Sequence, residues 1–171
     1  KLFDENVNSC AIRITYGDFR YFNGGDLSGG NWSSYKSDER DMETPVAKVC
    51  GTVDVMKANH HGYYDTCNGF FMNALSPDVV IIDARSDNHP VPSTMSRMVD
   101  PLVWTEPGEF YITVDQARKK LGEDLWSHFK PWGHIVVRVY EGGEEYQVFV
   151  LDADDISYPV KYKSEIKKAG K

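Results

Sequence analysis

Four side chains in this chain are of types that bind metals and activate water: Asp26, His60, His61 and His89. Asp26 follows Gly24 and Gly25 at the end of a strand-like run. His60 and His61 follow a second such run and precede Gly62. His89 stands before Pro90, after the most continuously apolar segment. Each group therefore sits where a strand hands over to a loop, and strand exits are where open α/β sheets place their ligands. Carboxylate oxygen and imidazole nitrogen both bind zinc at roughly 2.0–2.2 Å. Two glycines before Asp26 would let the backbone turn tightly and bring its carboxylate under an ion. In an extended segment His60 and His61 point to opposite sides. One would then ligate while the other hydrogen-bonds or packs. His89 could touch a substrate anion or support the metal from behind its ligands.

Each feature also has a plainer reading. Gly-Gly-Asp alone is a turn, His-His alone is a hydrogen-bonded surface pair, and His89-Pro90 alone is loop. Other chemistry is less well supported. No G-x-S-x-G string surrounds Ser9, Ser28 or Ser33. Cys50 and Cys67 read as idle thiols. Asp83, Asp87, Glu106 and Glu109 offer material for an acid/base pair, yet read first as solvated loop carboxylates. Trp32 and Tyr35, just past Asp26, are candidate pocket walls.

The elements that must position these residues can be traced by period. Cys10, Ile12, Ile14 and Tyr16 alternate, predicting a strand over 9–16 with Cys10 as a small core filler. Gly17-Asp18 is a hairpin signal, and Phe19–Phe22 the return strand. Residues 27–37 read as loop, and 38–49 as a short helix limited by Pro45. Val53–Ala58 is strand-like, 67–75 helical, and Val79–Ile82 a strand covered on both faces. A helix capped by Ser93 or Thr94 should follow the loop 83–92. Phe110–Val114 predicts a strand, Asp115 a cap for a helical segment to Leu121, and Leu125, Trp126 and Phe129 a further turn. Residues 135–140 and 146–151 flank Glu141-Gly142-Gly143-Glu144, the clearest hairpin signal. The reading is mixed α/β, with one domain over 1–160 and a Lys-rich tail over 161–171.

Composition narrows the function. Of 171 residues, 41% are apolar and 26% charged, with a formal net charge of -7. This is a globular balance. The negative charge argues against stable nucleic-acid binding, which rests on neutralising phosphates. No apolar run reaches membrane-spanning length and no signal peptide is visible. The 3 cysteines form no CxxC pair or disulfide framework.

Taken in order, three segments resemble the metallo-β-lactamase-fold proteins related to the hydrolase domain of bacterial competence proteins. They are Asn6-Val7-Asn8-Ser9 with the hairpin ending in Gly25-Asp26; Val55-Met56-Lys57-Ala58-Asn59-His60-His61-Gly62; and the Pro77–Ile82 strand with Asn88-His89-Pro90. The resemblance spans roughly residues 6–100. It implies an αββα sandwich of two similar halves, of which this chain resembles the C-terminal one. It implies a site at the edge where the halves meet, two zinc ions, and attack by metal-bound hydroxide on an ester, phosphoester or lactam bond. Asp26 matches the bridging aspartate and His60 the terminal metal histidine, with His61 the other choice. His89 matches a histidine kept near the site. Asn6 and Ser9 stand where other members place a further histidine.

The family's H-x-H-x-D-H cluster does not occur among the 5 histidines of this chain. The expectation is therefore a piece of a longer hydrolase acting on a small-molecule or phosphodiester substrate, the chain alone holding few or no ions. The alternative is a non-catalytic binding or assembly module on a degenerate hydrolase fold. A half-sandwich would bare the face carrying Cys10, Ile12, Ile14 and Val79–Ile82. At roughly 25 cal/mol per Å², several hundred Å² would forgo on the order of 10 kcal/mol of burial. A missing N-terminal half or a second copy is the expected cover, unless residues 101–171 fold back over it.

Overall fold

The computed structural model describes residues 5–30 and 40–170. Trp32, Ser33 and Tyr35 lie outside the described residues, as does most of the expected loop 27–37. The fold is mixed α/β. Strands β1 (Ile12–Tyr16), β2 (Phe19–Asn23), β3 (Val55–Lys57), β4 (Val79–Ile82) and β5 (Glu109–Ile112) form one sheet in sequence order. β1 and β2 are the expected hairpin, with Tyr16 opposite Phe19. The pairs β2–β3, β3–β4 and β4–β5 are parallel. Helices α1 (Glu43–Cys50), α2 (Gly69–Leu75) and α3 (Pro92–Val99) make the three crossovers, and α4 (Arg118–Trp126) follows β5.

Side-chain alternation sorts the sheet into two faces. Phe22, Met56, Val80, Ile82, Phe110 and Ile112 pack against the helices. Phe19, Val55, Val79 and Tyr111 point the other way. There they meet Tyr146, Val148 and Val150 of a second sheet. That sheet holds β6 (His134–Val139), β7 (Glu145–Leu151), β8 (Val160–Lys163) and β9 (Lys167–Lys168), with β6, β8 and β9 all antiparallel to β7. The layers are helices, mixed sheet and antiparallel sheet.

This arrangement corrects several expectations. The face of Val79 is not bare, because residues beyond 134 fold back over it. The strip that stays open is on the edge strand β1, where Ile12 and Ile14 are each 54% exposed. Cys10 is exposed and fills no core. The Lys-rich end is strand from Val160 to Lys163 and again at Lys167–Lys168, with Tyr162 packed inward between two lysines. Pro45 does not limit α1; it lies in the first turn, where backbone N–H groups lack helical partners anyway. Val91 rather than Ser93 or Thr94 precedes α3, with Pro92 at its first position. Ala117, not Asp115, precedes α4, which kinks at Gly122.

Candidate metal-binding site

Because β2, β3 and β4 run parallel, their C-terminal ends share one edge of the sheet. The loops leaving them carry Asp26, then His60 and His61, then Asp83 and His89. The sequence thus scatters these residues while the topology gathers them.

The Asp26 loop approaches the His60 segment closely. A Cβ on Gly24 would lie 2.3 Å from Asn59 Oδ1, so only glycine admits that approach. The Gly25 carbonyl accepts from His60 N at 3.0 Å and from Lys57 Nζ at 3.0 Å. His60 and His61 are not extended, so their expected opposite sidedness does not hold. Both lie in a tight turn with left-handed backbone, φ 44° and 55°. Each such non-glycine residue costs on the order of 1–3 kcal/mol, and such strain gathers at functional sites. Backbone bonds hold the turn: Tyr63 N donates to His60 O and Val91 N to Gly62 O.

The turn aims the two rings differently. His61 Nε2 lies 3.5 Å from Asp26 Oδ1. On its other side, His61 Nδ1 is 2.9 Å from Asp83 Oδ1 and 3.0 Å from the Asp83 carbonyl. His60 Nδ1 is 3.6 Å from Asp65 Oδ1 and 3.4 Å from the Asn6 side-chain amide. At 3.6 Å the first is proximity rather than a hydrogen bond, and Asp65 Oδ1 is buried with no hydrogen-bond partner among the described residues. The His89 ring centre is 5.9 Å from that of His60 and 5.5 Å from that of His61, and Tyr63 completes the cluster at 5.2 Å. Among the described residues, no three His, Cys, Asp or Glu side chains converge closely enough to hold an ion by themselves. Asp26, His60 and His61 therefore do not share one coordination point.

Two nearby groups were not legible from residue type. Lys57 ends β3 with its ammonium nearly buried, bonding the Gly25 and Ala58 carbonyls and lying 3.5 Å from Asp83 Oδ1. A lysine closing an apolar strand was the available signal. Glu43, fully buried in the first turn of α1, accepts from Asn59 Nδ2, Cys67 N and Asn68 N. It thereby pins the base of the His60 turn. A first-turn glutamate looks ordinary in sequence, and its partners lie 16–25 residues away.

Electrostatics follow from these contacts. The hydrogen bond to Asp83 raises the His61 pKa above its usual value against the opposing effect of burial. Burial pushes Asp83 up, but its bond to His61 and the Lys57 charge outweigh that and hold it low. Burial, and then the neighbouring His61 and His60, lower His89. Burial raises Glu43 to about 7 despite its three donors. Burial also raises the Cys67 thiol to about 12, leaving it a poor nucleophile. Glu109 belongs to a separate cluster with Lys130, Lys167 and Tyr111. It forms no acid/base pair with Asp83.

One pairing bears directly on metal chemistry. Both groups facing His61 Nδ1 are oxygens that only accept, so that nitrogen carries a proton. In the neutral ring Nε2 is then a lone pair facing a carboxylate oxygen at 3.5 Å. That pair is relieved either by a proton on Nε2, which the raised His61 pKa favours and which makes an ion pair with Asp26, or by a metal ion in the proton's place. Two donors on one tetrahedral zinc at roughly 2.0–2.1 Å each stand about 3.3 Å apart, so the spacing suits two ligands of one ion.

No family model matches the chain. It is 28% identical over 103 residues to competence protein ComA of Neisseria gonorrhoeae, an alignment covering 57% of this chain and 14% of that protein. The chain thus spans about a seventh of the relative's length, and over that stretch it is similar to a competence protein.

Proposed function

We propose that this chain supplies part of the active site of a metal-dependent hydrolase with a metallo-β-lactamase-like fold, zinc being the ion its donors suit best. The observation that carries the reading is the Asp26–His61 pair, spaced for two ligands of one ion and seated at the shared end of three parallel strands. The resemblance of the three motif segments and the similarity to a competence protein support it. Asp26 and His61 would hold the ion, with the remaining ligands supplied from beyond the described residues. A bound zinc ion would supply Lewis-acid activation of water and of the scissile ester, phosphoester or lactam group.

The chain's own residues do the rest. Asp26 offers its half-exposed carboxylate from a loop tied to the His60 turn. His61 is held from behind by Asp83. His60 leans on Asp65. His89, set between the two rings, borders the space a substrate would enter. Metal analysis of the full-length protein, with zinc- and manganese-supplemented assays on phosphodiesters and carboxylic esters, tests the reading. Bound zinc and Asp26-dependent hydrolysis are expected. Absence of both a bound transition metal and any hydrolysis would leave the alternative, a binding or assembly module on the same fold.

A further inference from the structure

We infer that Asp83 and Lys57 are positioning residues that fix the orientation and the free donor atom of His61. The inference rests on the metal-hydrolase reading and deepens it. Asp83 presents two oxygens to His61 Nδ1, one from its side chain at 2.9 Å and one from its carbonyl at 3.0 Å. Two acceptors on one nitrogen fix both the ring plane and the proton on Nδ1. Nε2 is left as the open donor toward Asp26. A carboxylate behind a histidine in this way orients the ring and strengthens it as a ligand.

Lys57 sets the spacing across the pair. Its ammonium bonds the Gly25 carbonyl, one residue before Asp26, and lies 3.5 Å from the carboxylate that holds His61. A second hydrogen bond, to the Ala58 carbonyl, anchors it to the end of β3. One buried cation thus touches the supports of both donors. Its side chain is 11% exposed against 43% for Asp83. The cation is the structural member of the pair and the carboxylate the adjustable one. The loop of Asp26 and the strand end of Asp83 come from separate elements, and this one ammonium reaches both.

The experiment is zinc affinity in the full-length protein by competition with a chelating dye, read beside the melting temperature of the metal-free form. Asp83→Ala is expected to weaken zinc roughly 10–100-fold while leaving the metal-free melting temperature nearly unchanged. Asp83→Asn, which keeps an accepting oxygen but no charge, should recover part of that loss. Lys57→Met should weaken zinc and also lower the metal-free melting temperature, because the cation holds two backbone carbonyls. Cobalt substitution adds a second readout, since altered ligand geometry changes the visible absorption spectrum. Zinc affinity and cobalt spectrum unmoved by Asp83→Ala would overturn this role alone. A wild-type protein that binds neither ion would overturn the metal reading and this role together.

Discussion

His61 and Asp26 face each other across 3.5 Å, nitrogen to carboxylate oxygen, at the sheet edge where the parallel strands β2 to β5 end. Asp26 lies in a turn, and His61 in the short Asn59–Gly62 segment, where its own backbone is left-handed. Their separation is set by what lies behind them: the Gly24–Gly25 turn on one side and the left-handed turn Asn59–Gly62 on the other.

The adjacent histidines should respond differently to removal. His61→Ala is expected to weaken metal binding by at least about 10-fold and to lose turnover with little change in stability, since the ring is a third exposed. His60→Ala should retain most metal affinity. It should cost about 1 kcal/mol of stability, because the buried Asp65 carboxylate loses the imidazole nitrogen 3.6 Å away. Metal content and urea unfolding of both variants provide the check. Loss of metal in His60→Ala with retention in His61→Ala would reverse the assignment.

How much of this was readable in advance differs by element. The two-sided covering of Val79–Ile82 was legible, because an apolar run without alternation has no solvent face to offer. Both hairpins were legible from turn residues between alternating runs. The left-handed turn at His60 and His61 was not, because neither residue type signals positive φ. The strand at Val160–Lys163 was hidden by its lysines, since only Tyr162 faces inward and its partner is β7. Which layer covers Val79 was equally hidden: an apolar face specifies burial, not the partner that provides it. At the site, the donor types were visible and their supports, Lys57, Asp65 and Glu43, were not, since each acts through contacts distant in sequence.

Glu43 gives a signed pH dependence. Its folded pKa of about 7 lies above the unfolded value near 4.5, so the folded state holds the proton more tightly. Stability from this group is complete below the unfolded value and is lost as pH rises through about 7. Glu43→Gln places an N–H₂ group against a backbone donor and should cost about 1–3 kcal/mol at pH 5. That deficit should shrink by pH 8, where the wild type has lost its advantage. Urea unfolding of both proteins at the two pH values makes the comparison. A deficit that grows with pH would mean that the three donors, not burial, govern this carboxyl.

The covered and uncovered parts of the sheet face should differ in cost. Val79→Ala, fully buried between the two sheets, is expected to destabilise by about 2 kcal/mol. Ile14→Ala, on the open edge strand, should cost less than about 1 kcal/mol. If a further segment or a second copy covers β1, Ile14→Lys should weaken that association, read by light scattering, without unfolding the chain. Equal cost at the two positions in chemical unfolding would contradict the layer assignment.

The central claim is that Asp26 and His61 are two ligands of one ion. Cobalt titration of the full-length protein, followed by visible absorption, tests it most directly, because the d–d bands report both affinity and ligand geometry. The wild type should bind with bands of a low-coordinate site, and Asp26→Ala and His61→Ala should each weaken binding by at least about 10-fold, comparable to or larger than the loss of a supporting group. The double variant should be no worse than the poorer single one, as expected for ligands acting as a unit. Wild-type cobalt affinity and an unchanged spectrum in either single variant would contradict the claim.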